Sequence, residues 1–512
     1  MTSITGKIRA GVAVLSLAVA TGCGGGGGSA GDAQNAEFDL GAADRQGTVV
    51  VGESLEFFTL DPRDVIGNYQ RTMWAPIYDT LLRTSPEGEL EPGLAESWEV
   101  VDNDTISLTL RSDVTFSDGA PVDTEALRAN LLRMKEVDTG ETNIVLQELK
   151  DVIIESPSEA VIELSSPAAG EFLQVLQGPE SLMISPAAFD DPNIDVDQQA
   201  VGAGPYEVVS FEPEQTLVLE RKDDHWDADN WPIKTIEVRQ VPDGSPRVTA
   251  LSAGDIQFTM SGDASVVPAL ENNPAVEVLT APGQQMHYAL FCKSRPPFDD
   301  PDVRRAFELA IDRSSLVDAV TAGNGAAAFQ VWPEDSPNYN PDAVRDYDVD
   351  EAKELLGGRD IETNMSYVSF VPGHDRVGEI MQAQLAEVGI DLELNPTEAV
   401  PDALAESNDA LLIYSTHQGV GRVARQLGPD SVNNLCGYND PDFNALVDQI
   451  EALDPESSEA NDAWHQVAEL VNEDALMMPL FFQVNATAFQ GSEIGAMPFT
   501  TPYVDFRYVY AK

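Results

Sequence analysis

Residues 377–394 read VGEIMQAQLAEVGIDLEL. Val377, Ile380, Met381, Leu385 and Val388 recur at helical spacing, Gly389 ends the run, and Ile390, Leu392 and Leu394 then alternate with acids in the period of a half-buried strand. Helix, glycine stop and strand make half of a βαβ unit, so the segment predicts an α/β fold. The same signals extend outward. Upstream, Asp300 is placed to cap a helix with Pro301 in its first turn, and Val303, Ala306, Phe307, Ala310 and Ile311 supply its apolar stripe. Further back, Ile106, Leu108 and Leu110 alternate with polar residues, and Leu217 and Leu219 alternate with Val218 and Glu220, as strands do. Strands and helices alternating along the body favour α/β lobes with ligand crevices at the strand ends.

The N-terminus sets the compartment. Lys7 and Arg9 precede an apolar run from Ala10 to Ala20, about half of the ~20 residues that cross a bilayer, which reads as a secretory signal. Ala20-Thr21-Gly22-Cys23 resembles the lipobox of bacterial lipoproteins, in which the cysteine is acylated and becomes the new N-terminus. A plain cleaved signal with an incidental cysteine is the alternative, but Gly24 to Gly28 suits a surface tether. The polar stretch from there to about Gly47 has too little apolar surface to fold, and roughly 22 flexible residues would span about 25 Å.

From Gly47 to Lys512 the apolar content suffices for two or three cores. Net charge is −58, and loss of Lys7 and Arg9 with the signal makes it −60. Such a surface excludes nucleic acid as a partner. Acid spread over the whole chain reports solvation, not the charge of a ligand. If Cys23 carries lipid, Cys292 and Cys436 remain, a pair that is either a disulfide or two separate buried thiols.

An ordered series of motifs covers nearly the whole body. It starts with Leu60-Asp61-Pro62, Tyr78-Asp79-Thr80-Leu81-Leu82 and Leu94-Ala95-Glu96-Ser97-Trp98. Leu110-Arg111, Val114-Thr115-Phe116-Ser117-Asp118-Gly119, Gly202-Ala203-Gly204-Pro205-Tyr206 and Asp224-His225-Trp226 follow. Pro297-Phe298-Asp299-Asp300, Val303-Arg304, Ala310-Ile311-Asp312-Arg313 and Gly437-Tyr438-Asn439-Asp440-Pro441 complete it. In order and spacing the series resembles the extracellular solute-binding proteins of peptide and nickel ABC importers, family 5. Each motif has a structural reading too: Phe116 to Gly119 reads as a strand entering a turn, and Trp98 and Trp226 as packing.

The resemblance implies a two-lobed periplasmic-binding-protein-like fold (type II, cluster C-like) with a hinged ligand cleft. It places a signal peptide at 1–22, a lipidated cysteine and tether at 23–46, the first lobe at 47–282 plus 486–512, an extra subdomain at about 75–200, and the second lobe at 283–485. Two chain crossings are expected near Gln285 to Phe291 and Leu480 to Ala488, permitting closure around a ligand. The implied protein is a monomer, lipid-anchored on the extracytoplasmic face of the bacterial cytoplasmic membrane, that passes a small molecule or peptide to ABC permease subunits without cofactor or covalent chemistry.

Peptide binders of the family often carry an aspartate for the peptide's amino group where this chain reads Leu411-Leu412-Ile413-Tyr414-Ser415-Thr416-His417-Gln418. No carboxylate stands there, which weakens the case for a free-amine oligopeptide. Between Arg376 and Arg507 the only Lys or Arg residues are Arg422 and Arg425. Three apart in a glycine-flanked loop, they are candidates to hold an anionic ligand group, with salt bridges to surface acid as the plain alternative. Phe57, Phe58, Trp332, Tyr414, Thr416, His417 and Phe481 complete the candidate ligand contacts, the aromatics being equally suited to core. Phe481 and Phe482 adjoin on a strand, so at most one faces the ligand.

Other classes are less favoured. There is no Gly-x-Ser-x-Gly elbow, His-Glu-x-x-His helix or phosphate loop, and Gly419 to Ala424 fits a dinucleotide pattern only weakly. His225, His287, His374, His417 and His465 are scattered, and no metal site is assigned. A nickel, haem or metal-chelate cargo, capped by His374 or His417, remains an alternative within the family, as does a ligand sensor that does not transport.

Overall fold

The computed structural model describes residues 38–512 except 55–56, 65–70, 87–88, 138–142, 262–265, 335, 337, 370, 372, 399–402, 404–406, 417–426, 428–438, 452 and 454–456. The signal segment, Cys23 and the glycine run lie outside them. Of residues 23–46, expected to form a flexible tether, 38–46 are described and contact the folded body. From Phe38 onward the chain is docked: the Phe38 ring lies 5.5 Å from that of Tyr510, and the Asp44 amide donates to Ala511 O at 2.8 Å. Arg45 donates to Ala228 O at 2.8 Å. Composition alone does not reveal these long-range partners.

The stretch around residues 377–394 folds as a helix, His374–Ala386, Gly389 at φ 91° and a strand, Ile390–Thr397. That strand pairs in parallel with Ile361–Val368, closing the βαβ unit. The capped helix is Pro301–Leu309, with the Asp300 carboxylate accepting from the Asp302 amide.

One large sheet links the cores on either side of the two longest strands. Its order is Ile390–Thr397, Ile361–Val368, Ala410–Thr416, Val276–Phe291, Met477–Gln490, Phe258–Ser261, Thr48–Glu53, Thr235–Gln240, Thr216–Arg221 and Tyr206–Glu212. The two long central strands, Val276–Phe291 and Met477–Gln490, are antiparallel partners for most of their length. The buried cores divide along them. Val276 and Ala488 join a core with Leu251, and Phe489 one with Val49 and Ile236. Met286, Tyr288 and Leu290 enter another with Trp464, while Ala289, Phe291 and Phe481 enter a fourth with Phe307 and Met381. Alternate residues of one strand thus enter cores on opposite faces of the sheet, as a strand covered on both sides requires. A further core spans Leu81 to Ala203 and is built on a separate four-stranded sheet, in the order Ala95–Asp102, Thr105–Leu110, Glu159–Leu164 and Leu149–Ile154.

Several recurring motifs lock this frame. Asp61 is buried and takes two hydrogen bonds from Arg133, at 2.9 and 2.6 Å. Arg313 is fully buried, donating to Pro479 O of the second long strand at 2.7 Å and pairing with Glu308 at 3.0 Å. Arg304 ties its helix to Phe298 O and Asp474 O. Trp98 and Trp226 pack against the Leu81 to Ala203 core, and the Arg111 guanidinium lies 3.8 Å from the Trp226 ring centre.

Candidate ligand cleft

The two long strands carry the chain from one set of cores to the other, and the change falls between Leu279 and Met286 on the first and between Phe482 and Ala488 on the second. The ladder is irregular here, with a register shift between Pro282 and Met286. Gly283 lies inside the shift. A Cβ at this position would stand 2.3 Å from Gln483 O, so the two backbones approach as closely as they do only because the residue has no side chain.

Across the same point, buried Asn485 gathers the C-terminal segment. Its Nδ2 donates to Phe499 O, Thr500 O and Thr501 O at 3.2, 3.1 and 2.8 Å. The segment continues to Val504, whose amide donates to Thr72 Oγ1 at 2.9 Å on the helix Arg71–Tyr78. Between this helix and the segment lies a small recess, partly open to solvent, lined by Arg71, Arg83, Asp79, Tyr503, Asp505 and Arg507.

Three guanidinium groups meet there with different partners. Arg83 is held by Asp79 at 3.0 and 2.6 Å and by Asp227. Arg507 is held by Asp505 at 2.9 and 2.6 Å and by Glu91 at 2.9 Å. Arg71 is 3% exposed and lies over the Tyr503 ring, 4.0 Å from its centre. Among the described residues it has no ion pair, and its Nε and Nη1 are buried without a hydrogen-bond partner.

On the other side of the crossing, His287 and His374 form a buried pair. His287 Nδ1 lies 3.1 Å from His374 Nε2, and His287 Nε2 lies 2.8 Å from Gln483 Oε1. The His287 ring stacks on Phe481, centres 4.3 Å apart, with Tyr414 at 5.7 Å. Both contacts are satisfied when each ring is neutral, with His374 Nε2–H donating to His287 Nδ1 and His287 Nε2–H donating to Gln483. A second proton on His287 would face another N–H. Burial accordingly lowers the His287 pKa to about 4, and burial and then the neighbouring His287 hold that of His374 well below the ordinary value.

The residues singled out in the sequence are distributed unevenly. Phe57 is buried against Phe211 in the core around Val49, while Phe58 is 53% exposed. Trp332 is buried edge-on to Trp464. Phe481 and Phe482 enter different cores, as alternation demands. Tyr414 is half-buried beside the histidine pair. Thr416 ends its strand opposite Gln285. His417, Arg422, Arg425 and Cys436 lie outside the described residues. Cys292 is disulfide-bonded, and its partner lies outside them as well. Among the described residues no group of three or more His, Cys, Asp or Glu is placed to hold a metal ion, and no helix is long and apolar enough to cross a membrane. The residue that sequence reasoning missed is Arg71. Its one signal is a cation directly before the apolar run Thr72 to Tyr78, and its neighbour Tyr503 is far away in sequence.

Two sets of cores joined by a pair of crossing strands make a two-lobed architecture of the kind found in binding proteins. Solved structures share the fold. The murein tripeptide binding protein MppA of Escherichia coli aligns with a TM-score of 0.78 at 18% identity over 92% of this chain and 99% of that one. NikA from Staphylococcus aureus in complex with Ni(L-His)2 aligns at 0.75 and 17% over 90% and 99%. Among curated relatives, the glutathione-binding protein GsiB of Escherichia coli strain K12 is 29% identical over 362 residues, 69% of this chain and 70% of that protein. Residues 89–421, well over half the chain, match the bacterial extracellular solute-binding proteins, family 5 Middle, and the chain belongs to that family. It is a solute-binding protein of the ABC-importer type and not an enzyme.

Proposed function

We propose that this chain captures a peptide or peptide-like anionic solute outside the cytoplasmic membrane and delivers it to ABC permease subunits by closing its two lobes, residues 47–282 with 486–512 and residues 283–485. The observation that carries the reading is the pair of crossing strands, whose ladder is irregular around Gly283, where a hinge between the two sets of cores would fall. The curated relative named for glutathione supports the cargo class, since glutathione is a tripeptide with two carboxylates.

In this reading Cys23 carries the lipid anchor, Cys292 pairs with Cys436, the protein acts as a monomer, and Arg422 and Arg425 contribute anion contacts from the second lobe. The screen is a thermal shift of the purified protein against glutathione, di- and tripeptides, dicarboxylates and metal chelates. A ligand at 100 times its dissociation constant adds about 2.7 kcal/mol. Stabilisation by peptide-like anions that is lost in Arg422→Ala/Arg425→Ala supports the proposal; stabilisation by metal chelates alone refutes it. Cys23→Ala is expected to release the protein from the membrane fraction, and its retention there would contradict the anchor.

A further inference from the structure

We propose that Arg71 is the first-lobe anchor for a carboxylate of the captured solute, seated in the recess between the helix Arg71–Tyr78 and the segment around Tyr503. The inference rests on the reading that the solute is peptide-like and anionic. A buried guanidinium without an acceptor is unfavourable, because the charge has left water and gained nothing in exchange. Proteins avoid this by pairing such groups, and this one pairs the two other arginines in the same recess: Arg83 with Asp79 and Asp227, Arg507 with Asp505 and Glu91. Arg71 alone of the three is left with the face of Tyr503, a contact that fixes the guanidinium plane and supplies no hydrogen-bond acceptor. Its Nε and Nη1 have no partner among the described residues, and the recess it lines opens to solvent.

The surrounding charge selects the kind of anion. Asp79, Asp227, Asp505 and Glu91 outnumber Arg83 and Arg507 by two, and Arg71 reduces the excess to one. A dianion such as phosphate would meet that remaining excess with both its charges. A single carboxylate, planar and matched to the guanidinium fork, meets it with one. The location suits a closing protein. Tyr503 follows two residues after Thr501, whose carbonyl accepts from Asn485 of the second crossing strand, so the chain runs directly from the crossing to the ring that covers Arg71.

The test has two arms on the purified protein. In the first, calorimetric binding of glutathione is compared in wild type, Arg71→Gln and Arg71→Lys, with circular dichroism to establish that each is folded. Loss of a charge-assisted hydrogen bond in Arg71→Gln is expected to weaken binding roughly 10- to 100-fold, with partial recovery in Arg71→Lys. Equal affinity in all three overturns the inference and leaves the proposed cargo class standing. In the second arm, the Nε–H resonance of Arg71, assigned by its absence from Arg71→Lys, is followed in wild type during titration with sodium acetate and with inorganic phosphate. A saturable shift with acetate supports the site even if glutathione does not bind, in which case the cargo reading alone fails. No shift with acetate, or a stronger response to phosphate, overturns the carboxylate assignment.

Discussion

The buried histidine pair makes stability depend on pH in a window where ordinary carboxylates scarcely titrate. His287 is neutral in the folded protein, with a pKa of about 4, against about 6.5 when unfolded. For a base whose folded pKa is depressed, the unfolded chain binds the extra proton first. The stabilisation is therefore complete above pH 6.5 and is lost as pH falls towards 4. Between pH 7.5 and 5.0 the loss from His287 is about 2 kcal/mol, the slope approaching about 1.4 kcal/mol per unit below pH 6.5. The window stays above the isoelectric point of 4.1, where solubility fails. The perturbation is His287→Gln, which keeps an amide between His374 and Gln483 but cannot take up the proton. Urea unfolding of wild type and variant at pH 7.5 and 5.0 gives two stability differences. Carboxylates contribute alike to both, so subtraction isolates the histidine pair. Wild type should lose about 2 kcal/mol more than the variant over this interval. Parallel profiles would refute the neutral, buried assignment of the pair.

Two further perturbations probe the frame. Asp61→Asn leaves Arg133 largely buried without its carboxylate; burial alone would raise the Asp61 pKa, yet the bonds from Arg133 and Arg63 hold it below the ordinary value. Such a broken pair should cost about 3–5 kcal/mol in urea unfolding, and a loss under 1 kcal/mol would show that the Leu60-Asp61-Pro62 motif is not a structural lock. Gly283→Val places side-chain atoms against the Gln483 carbonyl, at a position where even a Cβ stands 2.3 Å away. Glutathione affinity should fall through a slower on-rate in stopped-flow measurements, and unchanged kinetics would mean that the crossing does not need this close approach.

Much of the fold was legible because periodicity is local. Val377 to Leu394 carry helix, stop and strand within one short segment, and the Asp300 cap lies next to the helix it starts. The site was less legible because it is assembled by long-range pairing. His287 and His374 look scattered in sequence and become neighbours only where a long sheet strand meets the start of a helix. Arg71 and Tyr503 come together from opposite ends of the chain, and no spacing rule links them. Aromatic residues mislead for another reason: Phe57 and Trp332 are as apolar as any cleft wall, and only the side on which their segments pack sends them into cores. The docking of Phe38 to Arg45 was hidden likewise, because its partners are near the C-terminus and at Ala228.

Capture in the proposed manner requires the two lobes to close on the solute about the paired crossing strands. Small-angle X-ray scattering of the purified protein, alone and saturated with glutathione or whichever peptide the thermal screen selects, measures this directly. A smaller radius of gyration in the bound state is the predicted result. Saturated binding, established by calorimetry on the same sample, with a scattering curve that does not change would contradict it.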